Sequence, residues 1–243
     1  GAALVGAGCG SYELITLKGL SEIRRAEVIV YDDLIDEHLL EFAPESCELI
    51  YAGKRSGRHS KAQEEINELL VEKALEGRYV VRLKGGDPYV FGRGGEEALA
   101  LKAHGIPVHE VPGVTSGIGL CGMAGIPVTH RGASRGFHVI TGHTADNLPP
   151  EIEEIRWKSY AKLDETFVFL MGLKSIDMIT EKLMRYGKLS DTPVAVIHGE
   201  NTDGTYVKFV GTLSDIAAKV KEVDFPSPAI IVVGEVASLE LTD

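Results

Sequence analysis

Cysteine is scarce in this sequence, and its number is odd. Cys9, Cys47 and Cys121 lie far apart among 243 residues. Neither a disulfide framework nor a structural zinc site is expected, and no bound metal; three thiols suit a reducing compartment, taken as the cytoplasm. Long apolar runs are absent too, none reaching the roughly 18 residues that a membrane span needs. No basic, apolar, then small-residue leader is visible, so no secretory signal is expected. The sequence starts inside an expected first strand, and a few residues are expected to be missing ahead of it. Cations are in the minority, 25 Lys and Arg against 36 Asp and Glu. The resulting net charge of −11 disfavours non-specific binding to nucleic acid. Internal repeats and low-complexity tracts are also missing. What is left is an ordinary globular composition, long enough for one large domain or two small ones.

The richest stretch runs from Lys84 to Glu97, Lys-Gly-Gly-Asp-Pro-Tyr-Val-Phe-Gly-Arg-Gly-Gly-Glu-Glu. It follows an apolar run, residues 79–83, that reads as a buried strand. Five glycines in fourteen residues let backbone amides approach a ligand, because no Cβ stands in the way. Pro88 pushes Asp87 towards extended geometry. Two cations and three carboxylates share the loop, which a plain connection does not require. Open α/β sheets place ligands at the carboxyl ends of their strands, where this loop begins.

Around it, strand and helix alternate. Residues 4–10 read as a strand running into a glycine turn, but the spacing is G-x-G-x-G, with Ser11 and Tyr12 where a dinucleotide fingerprint wants its third glycine. A helix is expected over 14–26 and a strand over 27–31, with Asp32 and Asp33 at its end. Those acids could cap the next short helix or face a cleft, and position alone does not choose. After a strand at 48–51 comes a basic cluster, Lys54, Arg55, Arg58 and His59, framed by glycines and suited to an anion. A helix over 60–76 is expected to start at a Ser60 cap and to bury Ile66, Leu69, Leu70 and Ala74. A helix at 96–104 and a strand at 108–111 follow. A small-residue helix then runs to Ala124, with Thr115 or Ser116 as its cap, leaving amides for a ligand carboxylate. Residues 125–135 read as a junction, and the lone His130 and His143 read as structural. In the second half, strands are expected at 137–141, 166–171, 193–197, 206–210 and 229–233, and helices at 176–186 and 213–223. A short turn at Asp203-Gly204 makes two of these strands antiparallel, so the second sheet is mixed. Residues 144–162, which include the only tryptophan, fall in no recognisable pattern.

Taken together, the blocks GAGCG (6–10), TLKGL (16–20), VIVYDDL (28–34), GKRSGRHS (53–60), QEEIN (63–67), VVRLKGGDPYVFGRGGEE (80–97), GIPVHEVPGVTS (105–116), AGIPVTHR (124–131), TGH (141–143), FLMGL (169–173) and SPAIIVVGEV (227–236) resemble the uroporphyrinogen-III C-methyltransferases of the tetrapyrrole methylase family. The resemblance implies two α/β domains rather than a Rossmann fold. The first, 1–124, would hold a mostly parallel five-stranded sheet; the second, 136–243, would hold a mixed sheet. S-adenosylmethionine (SAM) would lie in the cleft between them, in a homodimer. It implies methylation of uroporphyrinogen III at carbons 2 and 7, through precorrin-1 to precorrin-2, on the way to siroheme or cobalamin.

By the same resemblance, Cys9, Gly85, Gly86, Asp87, Val90, Thr115, Ser116, Met171, Gly199 and the backbone around Ala229 would hold SAM and its product S-adenosylhomocysteine. Asp32 would accept a proton and Lys54 donate one. Arg93, Glu96 and Arg131 would engage the macrocycle. Cys9 stands where relatives usually have proline, Asp33 where they usually have arginine, and Gly122-Met123 where Ala-Tyr is common. The substrate carries eight carboxylates, so an acidic protein needs a locally positive site; Lys54, Arg55, Arg58, Arg82, Lys84, Arg93 and Arg131 are the candidates. Two rival readings remain. A methylase of a later precorrin disagrees with the F-G-R-G-G-E-E run. A non-enzymatic nucleotide-binding module disagrees with the clustered cations. At this length a fused dehydrogenase or synthase domain is not expected.

Overall fold

The computed structural model describes residues 1–53, 62–142, 148–199, 205–239 and 241. The chain divides into two compact units, one built from Gly1–Thr115 and the other from Ser116–Gly199 and the residues from Tyr206 onward.

The first unit is a five-stranded parallel sheet in the order β3-β2-β4-β1-β5. Its strands are β1 (Ala2–Gly6), β2 (Val28–Tyr31), β3 (Glu48–Tyr51), β4 (Val80–Lys84) and β5 (Val108–Val111). All five residues of β1 are buried, as are those of β4, the pattern of a sheet covered on both faces. On one face Ala3, Val5, Ile29, Val81 and Leu83 pack under Ile23 of helix α1 (Leu17–Arg24) and under Leu39. On the other, Ala2, Leu4, Val28, Val30 and Val80 meet Ile66 and Leu70 of α2 (Gln63–Leu75) and Leu101 of α3 (Gly94–Ala103). The link from β1 to β2 passes over β4, and the link from β4 to β5 passes over β1 in the opposite direction. Parallel crossovers are right-handed, so opposite directions put the two helices on opposite faces. It also makes the β1/β4 boundary the place where the strand order reverses.

α2 starts at Gln63 rather than Ser60, which lies outside the described residues. Its first turn is closed by Glu65, whose carboxylate accepts from the Ala62 N–H at 3.1 Å. The short helix Glu37–Phe42 is capped by Asp36, which accepts from His38 N and also from Tyr12 N at 2.8 Å. Neither Asp32 nor Asp33 caps that helix.

One buried carboxylate ties α1 to the sheet. Glu22 receives bonds from Arg25, Tyr79 and His109, and Lys18 pairs with it. Burial pushes this carboxyl up, but the hydrogen bonds outweigh burial and bring it from 4.5 to about 2. Because the folded-state value is the lower one, its stabilisation is complete above about pH 4.5 and is lost as pH falls towards about 2. Urea midpoints should therefore drop more between about pH 5 and about pH 3 in the wild type than in Glu22→Gln. Equal drops would remove Glu22 as a source of acid sensitivity.

The second unit is a mixed sheet in the order β6-β7-β10-β8-β9. Its strands are β6 (Phe137–Thr141), β7 (Thr166–Leu170), β8 (Pro193–Gly199), β9 (Tyr206–Thr212) and β10 (Ala229–Val233). β6 and β7 are parallel; every other pair is antiparallel, including the expected β8–β9 pair, whose turn residues Asp203 and Gly204 lie outside the described residues. Phe167, Phe169, Val194, Val196, Ile231 and Val233 form a core with α5 (Pro150–Lys162), α6 (Ile176–Arg185) and α7 (Ile216–Glu222). The stretch around the lone tryptophan is thus helix α5, with Trp157 stacked on Phe169 at 6.2 Å. Helix α4 (Ser116–Met123), expected to end the first domain, groups with this second unit. It lies against β7, β8 and β10, and a Cβ on Gly117 would stand 3.1 Å from Val139.

Candidate active site

At the carboxyl end of the first sheet, the loops leaving β1, β2, β4 and β5 meet backbone to backbone. Gly8 and Gly86 exchange hydrogen bonds, 3.2 Å from Gly8 N and 2.7 Å from Gly86 N. A Cβ on Gly113 would lie 2.0 Å from the Gly86 oxygen, and one on Gly85 would lie 2.5 Å from Leu34. The glycine richness of this region is thus used first for the approach of one loop to another. Gly86 also has a φ of 67°, which suits glycine.

Asp87 fastens the same assembly. One carboxylate oxygen accepts from Tyr89 N at 2.8 Å and the other from Gly113 N at 3.1 Å, joining the β4 loop to the β5 loop. Val90 is half-buried behind it, its N–H on the Asp87 carbonyl. Cys9 is half-buried in the β1 loop, between Gly8 and Gly10, which both have positive φ. Glu110 on β5 is pushed up, first by burial and then by the charge of Asp87.

Asp32 stands on a buried charge network. Its Oδ2 accepts from Arg82 Nη2 at 3.0 Å, and its Oδ1 accepts from Leu34 N at 3.4 Å. Arg82 is spent inside the protein: Nε donates to Glu97 Oε1 at 3.1 Å, and Nη1 to the carbonyls of Val30 and Leu83. Lys84 Nζ donates to the same Glu97 oxygen at 2.8 Å, and Gln63 reaches it at 3.3 Å. Glu97 is fully buried, and its Oε2 has no hydrogen-bond partner among the described residues. Burial, and then the charge of Arg82, push the Lys84 ammonium down. Arg82 and Lys84, expected as cations for the substrate's carboxylates, are instead buried and paired. The cause is strand alternation, which turns Val80, Arg82 and Lys84 to the face covered by α2 and α3. That alternation, with Glu97 at the start of the next helix, is the signal in the sequence that could have found the network. Asp33 accepts from the Tyr51 hydroxyl on β3.

Arg93 is exposed at the start of α3, at a φ of 57° that non-glycine residues rarely adopt. Its guanidinium makes a two-point contact with Glu96, 2.8 Å from Nε and 2.7 Å from Nη2. Phe91 has a positive φ as well. Such conformations gather at ligand clamps and active sites. Lys54, with Arg55, Arg58 and His59, lies outside the described residues.

In the second unit, the residues expected at the cofactor again share one end of a sheet. Met171 follows β7, is half exposed and has a φ of 56°. Ala229 opens β10 opposite His198, next to Gly199 at the end of β8. A Cβ on Gly199 would meet Leu120 of α4 at 2.5 Å, which gives that glycine a packing reason. Ser116 is the first residue of α4, and Thr115, the last residue of the first unit's span, is half-buried. Arg131 is exposed in a turn closed by His130 and Ser134, whose backbones bond to each other. His143 lies outside the described residues. Among the described residues, no cluster of three or more His, Cys, Asp or Glu could hold a metal, and no helix is long and apolar enough to cross a membrane.

Residues 3–217 match the family of tetrapyrrole (corrin/porphyrin) methylases. A protein of Methanocaldococcus jannaschii named uroporphyrinogen-III C-methyltransferase is 50% identical over 238 residues, which cover 97% of this chain and 96% of that protein. One of the same name from Priestia megaterium is 48% identical, covering 97% of each. Among solved structures, the Thermus thermophilus uroporphyrin-III C-methyl transferase complexed with S-adenyl homocysteine is 39% identical. It superposes with a TM-score of 0.79 over 97% of both chains.

Proposed function

The chain belongs to the tetrapyrrole (corrin/porphyrin) methylase family, and from that premise we propose that it transfers methyl groups from SAM to uroporphyrinogen III. The methyls go to carbons 2 and 7, giving precorrin-1 and then precorrin-2, a precursor of siroheme and cobalamin. The working protein is a cytoplasmic homodimer. The observation that carries the reading is the carboxylate of Asp32, held on a buried cationic support beside glycine-rich loops at the carboxyl end of the first sheet.

The residues present fit the cofactor. Asp87 and Glu110 are two acids close enough for one to raise the other's pKa, and a cationic sulfonium or ammonium suits that field. Gly85, Gly86, Asp87 and Val90, with Cys9, Thr115, Ser116, Met171, Gly199 and Ala229, would hold it. SAM brings a methyl group already activated on a sulfonium. The protein's part is to align it with a ring carbon and exclude water, worth on the order of 7–11 kcal/mol. The methylated ring then loses a proton, which Asp32 takes on Oδ1, the oxygen that Arg82 leaves open. Lys54 acts as proton donor, and Arg93, Glu96 and Arg131 engage the macrocycle. The direct test is incubation with SAM and enzymatically made uroporphyrinogen III, with mass analysis. Two added methyls are expected; none would overturn the reading.

Asp87→Ala removes the two hydrogen bonds that hold the β4 loop and join it to the β5 loop, and with them an acid beside the expected cofactor. Calorimetry should show S-adenosylhomocysteine binding weakened on the order of tenfold to a hundredfold. Unchanged affinity would take the β4 loop out of the cofactor site. Arg93→Lys keeps the charge and loses the fork, so turnover should fall about tenfold with cofactor affinity kept. If Arg93 serves only Glu96, the melting temperature falls and uroporphyrinogen affinity stays.

A further inference from the structure

We infer that Arg82, oriented by Glu97, is the positioning residue that aims Asp32 at the methylated ring carbon. The inference rests on the reading of Asp32 as the base. Arg82 touches no reacting atom and is all but buried. Each of its three nitrogens is engaged: Nε on Glu97, Nη1 on the carbonyls of Val30 and Leu83, and Nη2 on Asp32. A planar guanidinium fixed at two nitrogens has no freedom left at the third, so Nη2 sets where the Asp32 carboxylate stands. Among the described residues, Asp32 has little else to hold it. Its other oxygen makes a 3.4 Å contact to Leu34 N, and a quarter of its side chain is exposed.

The network is also more elaborate than a fold-stabilising pair requires. Four charged groups, Asp32, Arg82, Glu97 and Lys84, meet in one place, and three of them are almost completely buried. Isolated buried ion pairs are often no better for stability than apolar residues of the same volume. An orienting role explains why Glu97 accepts Arg82, Lys84 and Gln63 on one oxygen, while its Oε2 has no partner among the described residues. Oε1 is pulled to the position that fixes the guanidinium plane, at the expense of its twin.

Arg82→Lys is the test, because it keeps the network's charge and cannot reach Glu97 and Asp32 together. Single-turnover methylation of uroporphyrinogen III is measured with SAM in the wild-type and Asp32→Asn backgrounds, alongside S-adenosylhomocysteine affinity and melting temperature. In the wild-type background the rate should fall on the order of 10- to 100-fold, the size expected for a misplaced catalytic group. Cofactor affinity should hold. In the Asp32→Asn background the same change should cost less than about twofold, because the group it aims is gone. Equal losses in both backgrounds, or no loss in the first, overturn the inference while Asp32 remains the base. If Asp32→Asn itself turns over at the wild-type rate, the base assignment fails first and the inference falls with it. Should Arg82→Lys not fold, Glu97→Gln assayed well below its melting temperature is read by the same two-background comparison.

Discussion

Asp32→Asn should lower single-turnover methylation of uroporphyrinogen III by about 100- to 10,000-fold, the usual worth of a positioned base. The variant keeps the side chain's shape, and its amide oxygen can still accept from Arg82 Nη2. The loss therefore falls on proton removal from the methylated ring and not on assembly of the site. S-adenosylhomocysteine affinity by calorimetry should stay within about twofold of wild type, since Asp32 lies on the β2 loop, which supplies none of the expected cofactor contacts. A rate near wild type would return Asp32 to a purely structural role, as the anion that neutralises Arg82. A rate loss matched by an equal loss of cofactor affinity would place it in the binding site instead.

Glu97→Ala should be the most destabilising single change in the first unit, by about 3–5 kcal/mol. The carboxylate is fully buried and faces two buried cations. Removing it leaves Lys84 without its carboxylate and Arg82 with Asp32 alone, and opens a small void between β4 and α3. For a chain of this size that corresponds to a melting temperature lower by roughly 6–20 °C. The pH dependence gives a second check. Burial and Arg82 already push the Lys84 ammonium down, so in the variant it can shed its proton as pH rises, whereas Arg82 cannot. The deficit should therefore shrink towards alkaline pH. A deficit that is small and independent of pH would overturn this account of Glu97.

The strands are the legible part of this fold, for a reason visible in particular residues. Phe137–Thr141 and Ala229–Val233 are short runs rich in β-branched residues between glycine and proline signals, and they lie where the pattern puts them. Helix α5 escapes the pattern because its buried face is narrow, with only Trp157 and Ala161 buried and Ile152 and Ile155 exposed. Cap chemistry misleads at 60–63, where a serine signal competes with the Glu65 carboxylate that closes the first turn.

At the site, the loops that matter are legible from glycine density and strand ends, but their internal economy is not. Sequence shows that Gly85, Gly86 and Gly113 are glycines; only packing shows that Gly86's carbonyl fills the space of a Gly113 Cβ. Likewise the charge of Arg82 and Lys84 is written in the chain, while its direction depends on which face of β4 each residue takes. Among the described residues, the cations read as substrate contacts thus divide into a buried pair below Asp32 and two at the surface, Arg93, paired with Glu96, and Arg131.

The place of β1 in its sheet bears on how the molecule is made. Among the described residues β1 pairs with β4 and β5, so during synthesis it has no partner until β4, about 75 residues further along, has been made. At about 5–20 residues per second that is a wait of roughly 4–15 s. During it, a fully apolar segment, Ala-Ala-Leu-Val, stays unpaired with its backbone groups open to other chains. β2 and β3 are adjacent both in sequence and in the sheet, and can pair in the meantime. Assembly of the first unit is thus set to start at the β3 edge of the sheet. Pairing of β1 with β4 has to wait, and the same event brings the β1 loop against Gly86 and completes the floor of the site.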